Sequence, residues 1–182
     1  MAVLGRGAGV TVTAQMDADL LIGIIGDAKV VLKVGKQMEA KIIDNNTIRI
    51  YDGIIVSQGR DIHISANTYD EFNIENGAQS VTRYDVIGYY IHKSDGVEIC
   101  DQFVQKDVGK DGEITEDILR EGANSTYISL YKAKIEGLSL TELIPLYTKI
   151  QTPMTGLQNQ ITSGTAEPTG GEDCDVYIKL EE

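Results

Sequence analysis

The segment DVGKDG at residues 107–112 has residue types that can bind calcium. Hard cations are held by several oxygens on a tight turn, and Gly112 stands at the sixth position, where such a loop needs glycine. Gly109, however, stands where a third-position ligand belongs, and Ile118 stands where the twelfth position needs a bidentate Glu. The pattern therefore favours a solvated acidic loop over a calcium site.

The two histidines and the serines form no recognisable catalytic arrangement. His63 and His92 both fall in predicted strands, without a second His, a thiolate or a carboxylate at a spacing that suits a metal or an activated nucleophile. No GxSxG or GxxxxGK[ST] motif is present. We therefore predict a protein that is not an enzyme, with no catalytic residue, no metal and no cofactor.

Charge and hydropathy exclude two classes of partner. The net charge of −12 repels phosphate backbones, so nucleic acid is not expected to bind. The longest apolar run, residues 20–25, is far short of the ~20 residues that cross a bilayer, and no membrane insertion or signal peptide is predicted. Cys100 and Cys174 lie far apart, which favours two free thiols over a disulfide.

The first residues predict an arm and a short helix. Residues 1–16 are small and Gly-rich, and they are predicted to form an N-terminal arm. Asp17 is expected to cap the helix with its carboxylate, and Gly26 is expected to end it. The body domain is predicted at residues 17–150, followed at residues 151–182 by a linker and a C-terminal strand.

From residue 30 onward the apolar period is two, which predicts short antiparallel strands joined by tight turns. The predicted turn and corner residues are Asp52, Gly53, Gly59, Arg60, Asp95 and Gly96. Asp-Gly between two alternating runs is the strongest local indication of a hairpin, and the guanidinium of Arg60 can tie neighbouring strands or subunits. The predicted fold is mainly β, an antiparallel sandwich-like domain with a short N-terminal helix.

The second half of the body predicts one loop, one strand and one helical turn. Residues 107–125 are polar and acidic and are predicted to form a surface excursion with one short helix. Residues 127–135 alternate as a strand whose odd-numbered residues share one face. Residues 139–144 are predicted to form a helical turn that Pro145 stops.

Tyrosines are unusually prominent in this chain, which has nine Tyr, two Phe and no Trp. Tyr89, Tyr90, Tyr127 and Tyr131 are candidates for a receptor-facing surface, because Tyr offers a large apolar face with a polar tip to a sugar or a protein. In a chain without Trp the same side chains can instead fill the core. Both interpretations stay open at this stage.

The C-terminal segment predicts a strand that needs a partner. Its candidate assembly residues are Val176, Tyr177, Ile178 and Leu180. A lone strand has unpaired N–H and C=O groups along both edges and is not stable in water. It must therefore join a sheet of its own domain, of a neighbouring subunit or of another protein.

An ordered set of motifs is distributed along residues 17–150: Gly26-Asp27, VLKVG at 31–35, AKII at 40–43, NTIRI at 46–50, Asp52-Gly53, Gln58-Gly59-Arg60 and Arg83-Tyr84-Asp85. As a set they resemble a family of structural proteins of the tail tip or baseplate of tailed phages and prophages of Gram-positive bacteria. The ending at residues 163–178 is similar to the GT..P.GG..GD.Y.. endings of tail fibre and tail-tip proteins, with Cys174 where Gly is usual.

The resemblance implies a structural virion protein that assembles by strand-mediated contacts between subunits. Its partners would be further copies of itself, most plausibly as a trimer, and other tail or baseplate proteins. Its location would be the virion tail, assembled in the bacterial host cytoplasm. Two alternatives remain: a host-surface carbohydrate- or receptor-binding module of the tail, and a tail-associated glycan hydrolase with an acidic pair about 5–10 Å apart.

Overall fold

A computed structural model describes residues 11–150 and the backbone of two later strands, residues 161–164 and 176–179. The chain divides into two compact units, Met1–Lys149 and Ile150–Glu182. The elements of the first unit are helix α1 (Ala14–Ile25) and strands β1 (Val30–Val31), β2 (Ala40–Ile42), β3 (Thr47–Ser57), β4 (Arg60–Asn73), β5 (Thr82–Ser94), β6 (Val97–Gln105), β7 (Ser125–Glu136), β8 (Ser139–Pro145) and β9 (Thr148–Lys149), with a 3-10 turn at Leu119–Glu121 before β7. None of the helices described here is long and apolar enough to cross a membrane.

Helix α1 begins earlier than the sequence predicts. Thr13 is its N-cap, because the Thr13 hydroxyl accepts a hydrogen bond from the backbone N–H of Met16 at 3.2 Å. Asp17 therefore lies inside the first turn and is not the cap, so the prediction of an arm that reaches residue 16 is wrong at this end. The helix ends at Gly26, which has a φ of +93°, a backbone conformation that glycine adopts at little cost.

The first sheet is organised around β3. One edge of β3 pairs with β2 and then with β1, and its other edge pairs with β4, all antiparallel. β1 also pairs with β9 in a parallel register. The β3–β4 hairpin turns at Gln58 and Gly59, whose φ angles of +51° and +71° suit a two-residue turn of the primed type.

The predicted turn at Asp52 and Gly53 is wrong, because β3 runs straight through both residues. The irregularity lies in the partner strand, where Tyr51 pairs with Tyr69 but Gly53 pairs with Ile64. Gly53 is required for a different reason, since a Cβ there would lie 2.6 Å from the backbone nitrogen of Met38. Asp52 is buried, and its carbonyl accepts the same N–H at 3.4 Å.

The second sheet has the strand order β6-β5-β7-β8, with every pair antiparallel. The predicted hairpin at Asp95 and Gly96 joins β5 to β6, with φ angles of +51° and +81°. Residues 139–144 form β8 and not the predicted helical turn. Gly137, at φ +60°, reverses the chain, and pairing with β7 then overrides the local helical pattern.

A β-bulge in β7 exchanges the two faces of that strand. Ile87 of β5 pairs with Tyr131, but the next residue, Gly88, pairs with Ser129, so Leu130 is an extra residue. One extra residue inverts the alternation of side chains. Odd-numbered residues up to Ser129 lie on the outer face of the sheet, and from Tyr131 onward they lie in the core. The prediction that all of them share one face is therefore wrong.

The two sheets pack on a single hydrophobic core, which confirms the predicted mainly β, sandwich-like fold. The ring of Phe72 from the first sheet meets that of Tyr89 from the second edge to face, with centroids 5.9 Å apart. The largest fully buried side chains come from both sheets and from the turn before β2, which supplies Met38: Phe72, Met38, Ile48, Ile50, Ile55, Ile87, Ile128, Leu130 and Ile135.

The second unit contains two short strands, β10 (Ile161–Gly164) and β11 (Val176–Lys179), paired in parallel from Ile161 with Val176 to Gly164 with Lys179. The candidate assembly residues Val176, Tyr177 and Ile178 therefore pair within their own unit. Leu180 and Cys174 lie outside the described residues, as does the start of the predicted arm, residues 1–10. Each strand of a two-stranded sheet keeps one further edge.

Candidate functional site

Strand β6 is a long, exposed edge of the second sheet. Among the described strands it pairs with β5 alone, so the hydrogen-bonding groups of its other edge have no strand partner. Val97 is 61% exposed, and Ile99 and Val104 are also exposed. We call this strand the β6 edge.

The β6 edge has few of the features that usually protect such strands, and its two acidic residues, Glu98 and Asp101, are both bonded to neighbouring side chains. Natural edge strands are shortened, bulged, or marked with Pro or with charged residues, Lys above all, which keeps other chains from pairing with them. The nine residues of β6 include neither Lys nor Pro, and their register with β5 is unbroken from Ser94 and Val97 to Val86 and Gln105. The strand is therefore open to pairing with another strand.

Arg60 holds one end of this edge against the first sheet. Its Nε and Nη2 donate to the two carboxylate oxygens of Glu98 at 2.8 and 2.9 Å, and Nη2 also reaches Gln15 of α1 at 3.4 Å. Bidentate pairs of this kind are the strongest of the charge-assisted contacts. The Arg60 guanidinium accordingly lowers the pKa of Glu98 below its ordinary value.

Four aromatic side chains lie together on the outer face of the second sheet. The Tyr90 ring stacks on His92 with centroids 5.1 Å apart and lies 4.7 Å from the Tyr127 ring. Phe103 meets Tyr127 edge to face at 4.9 Å. All four are half-buried, and Phe103 belongs to β6 itself. We call these four residues the aromatic cluster.

Gly88 makes room for the aromatic cluster. A Cβ at this position would lie 2.1 Å from the carbonyl oxygen of Ile128 and 3.0 Å from a ring carbon of Phe103. Any larger residue would therefore clash first with the backbone of β7, and the Phe103 ring would also have to shift. Phe103 pairs directly with Gly88 across the two strands, so the glycine and the ring occupy one site.

The histidines lie at strand surfaces, as the sequence predicts. His92 Nε2 is 2.8 Å from a carboxylate oxygen of Asp101 on β6, and His63 is paired with Asp61 on its own strand. No group of three His, Cys, Asp or Glu side chains among the described residues is placed to hold a metal ion. In the loop that resembles a calcium site, the carbonyl oxygens of Lys110 and Gly112 accept hydrogen bonds from Lys132.

Two of the four candidate receptor-facing tyrosines are core residues, so that prediction is wrong for them. Tyr89 is buried and donates to the carboxylate of Asp70 at 2.6 Å. Tyr131 is buried, donates to the carbonyl of Met38 at 2.9 Å and shares a 2.6 Å hydrogen bond with Tyr147. Burial raises the pKa of both phenols well above the ordinary value.

The predicted turn residues are distributed between the edge and the interior. Asp95 and Gly96 lead directly into β6, and Arg60 reaches it through Glu98. Helix α1 instead packs closely against Gly59, since a Cβ at Gly59 would lie 2.3 Å from the carbonyl oxygen of Ala18.

Helix α1 also presents an apolar stripe. Leu20 and Ile24 are four residues apart, on one face of the helix, and Ile24 is 71% exposed. Among the residues of α1, Ala18 is the one that is fully buried.

Sequence reasoning missed the β6 edge and two members of the aromatic cluster, His92 and Phe103. An indication was present in β6, where apolar residues occur at both odd and even positions, as at Ile99 and Cys100. A strand with one buried face alternates, so this pattern is typical of a strand that has an additional contact.

No protein-family model matches the chain, and no curated protein matches its sequence. The fold defines the class of the protein as mainly β and sandwich-like, with an exposed edge strand.

Proposed function

We propose that the chain is a structural component of a phage or phage-like tail tip or baseplate, assembled through contacts between strands of neighbouring subunits. The resemblance of residues 17–150 to that family supports the proposal. In this proposal the protein is not an enzyme. It assembles in the host cytoplasm, becomes part of the virion tail, and binds copies of itself, as a trimer, and other tail proteins.

The observation that carries the proposal is the β6 edge. A strand from another subunit that adds to β6 would satisfy its open N–H and C=O groups and cover Val97 and Ile99. The outer edges of β10 and β11 offer further contacts of the same kind, and the Leu20 and Ile24 stripe of α1 offers an apolar contact. Several weak contacts repeated by symmetry hold an assembly together through multivalency.

The test changes the β6 edge and measures the mass of the assembly. Val97→Lys places a charge on the edge, and Lys is a residue that protects natural edges. Val81→Lys is the matched control, because Val81 is 50% exposed and lies outside the strands. We expect sedimentation velocity to give oligomers for the unchanged protein and for Val81→Lys, and monomers for Val97→Lys.

Two outcomes would contradict the proposal. One is an unchanged protein that stays monomeric at high concentration. The other is equal incorporation into tail particles of three proteins: the unchanged protein, Val97→Lys and a variant that lacks residues 163–182. Electron microscopy of the particles would show the copy number at the position of the protein.

A host-surface carbohydrate- or receptor-binding module is the second candidate, and the aromatic cluster favours it. Half-exposed rings on a sheet face can stack against sugar rings. Tyr90→Ala and Tyr127→Ala are then expected to abolish signals on a glycan array, whereas Tyr69→Ala, at an exposed Tyr of the first sheet, keeps them. The absence of any glycan signal from the unchanged protein would exclude this candidate.

A further inference from the structure

A cavity of about 410 Å³ lies on the outer face of the second sheet, beneath the segment at residues 112–116. Val86, Ser129 and Lys132 line it from the sheet, and Leu146 follows β8 at its wall. Cavities of 300–1,000 Å³ are typical of sites for small molecules. The cavity is separate from the aromatic cluster and from the β6 edge in its lining residues.

Lys132 is a buried cation with unused hydrogen-bonding capacity. It is 7% exposed, and its ammonium donates to the carbonyl oxygens of Lys110 at 2.9 Å and Gly112 at 2.7 Å. An ammonium has three N–H donors, so one remains. No carboxylate in the described part of the chain forms an ion pair with it. Buried charges are normally paired, which makes this residue a candidate for binding an anion.

Ser129 adds a second unused polar group. Ser129 is 4% exposed, and its hydroxyl has no hydrogen-bond partner among the described residues. Buried polar atoms are nearly always bonded to protein, water or ligand, so this hydroxyl is available to a molecule in the cavity. The backbone N–H of Ser129 donates to Glu116, at 3.3 Å.

The bulge at Leu130 brings these two groups to one cavity. Residues three apart in a regular strand lie on opposite faces. Because Leu130 is an extra residue, Ser129 and Lys132 become consecutive residues on the outer face, where they pair with Gly88 and Val86. An irregularity that aims side chains in this way is common next to binding sites.

The remaining walls define the charge and shape of a ligand. Lys29 and Glu116 form an ion pair at 2.5 Å and neutralise each other. Lys132 supplies a positive charge at the sheet, and Glu113 balances it in the lining as a whole. This balance and the overall charge of −12 disfavour a dianion. Val86, Ile114 and Leu146 supply apolar contacts.

We infer that this cavity binds a small monocarboxylate with a short aliphatic body. The carboxylate accepts from the Lys132 ammonium and the Ser129 hydroxyl, and the aliphatic part packs on Val86 and Ile114. This site shares no residue with the β6 edge, so ligand binding here is separate from the assembly contact proposed for that edge.

The test titrates the full chain with isobutyrate and, separately, with inorganic phosphate, following amide chemical shifts by NMR. We expect isobutyrate to shift the amides of Ser129 and Lys132 saturably and phosphate to leave them unchanged. Ser129→Ala is expected to weaken isobutyrate at least about tenfold, as loss of one buried hydrogen bond implies. Ser125→Ala, on the same strand but outside the cavity, is the control.

Ser129→Ala keeps the protein folded, because it removes a hydroxyl that has no described partner. Lys132→Met serves as a second variant and is expected to abolish isobutyrate shifts. Saturable binding of phosphate, no saturable shift with isobutyrate, or equal affinities of Ser129→Ala and Ser125→Ala would each overturn the inference.

Discussion

Tyr89 and Asp70 join the two sheets of the body through one hydrogen bond, in which the Tyr89 phenol donates to a carboxylate oxygen at 2.6 Å. Tyr89 belongs to β5 of the second sheet, and Asp70 belongs to β4 of the first. Burial, and then the Asp70 carboxylate, raise the pKa of the phenol, so it stays a donor at any ordinary pH. The bond therefore links β4 to β5 alongside the packing of Phe72 on Tyr89.

Tyr89→Phe is expected to destabilise the fold by about 1–2 kcal/mol, because it leaves a carboxylate without a donor. Urea unfolding followed by circular dichroism measures this loss. Tyr69→Phe is the control and is expected to change the free energy of unfolding by less than about 0.5 kcal/mol, since Tyr69 is exposed. Equal effects of the two changes would contradict the role given to Tyr89.

Gly88→Ala is expected to cost about 1–3 kcal/mol through overpacking. Its Cβ would lie 2.1 Å from the Ile128 carbonyl oxygen. Gly23→Ala in α1 makes the same chemical change where no atom lies within 4 Å, and it is expected to stabilise the fold by about 0.5–1 kcal/mol. Thermal unfolding of both variants measures whether each change lowers or raises the stability of the fold. A Gly88→Ala protein as stable as the unchanged one would show that the strands separate there at no cost.

The Arg60 and Glu98 pair predicts a specific acid sensitivity. The folded-state pKa of Glu98 is lowered, so the pair stabilises the fold above the ordinary value of 4.5, and this contribution is lost as the pH falls through the lower folded-state pKa. Glu98→Gln removes the titrating group and leaves Arg60 in place. We expect the unchanged protein to be more stable than Glu98→Gln at neutral pH.

The difference in unfolding free energy between these two proteins is expected to shrink steadily below pH 4.5. Chemical unfolding at a series of pH values measures it, and other carboxylates cancel because both proteins contain them. A difference that is constant with pH would mean that the ion pair does not stabilise the fold.

Cys100, on the β6 edge, is predicted to react slowly with alkylating agents. Partial burial, followed by the charges of Asp101 and Asp70, raises the pKa of the thiol above its ordinary value of 9.0, and the thiolate is the reactive form. Iodoacetamide labelling of a Cys174→Ser variant, read by mass spectrometry, is expected to be slower than in the urea-unfolded chain at pH 8. Equal rates would contradict this prediction.

The hairpin at Asp95 and Gly96 was predictable because its chemistry is local: Asp-Gly accepts two positive φ angles between alternating runs. The turn predicted from the same dipeptide at Asp52 and Gly53 is wrong. There the glycine serves a close approach to Met38, which comes from another part of the chain.

Pairing with neighbouring strands likewise decides that residues 139–144 form a strand and which residues of β7 face the core. Leu140 and Ile144 have helical spacing, but residues 139–144 lie beside β7 and take its hydrogen bonds. The placement of Tyr127 on the surface and Tyr131 in the core depends on the extra residue Leu130, and no local pattern indicates a bulge there. Tyr89 and Tyr90 are neighbours on β5 and face opposite sides by simple alternation. The receptor-facing role of Tyr90 and Tyr127 stays a prediction.

The additional Leu130 also divides β7 into two stretches in which odd-numbered residues face opposite sides of the sheet, so the same substitution has different effects in each. Before it, a polar replacement at an odd position meets the outer layer; after it, the same replacement enters the core. Loss of this one codon would send Thr126 and Ile128 out of the interior and bring Tyr127 into it. Homologous chains are thus expected to preserve the length of this strand and the apolar character of its core positions on both sides of the bulge.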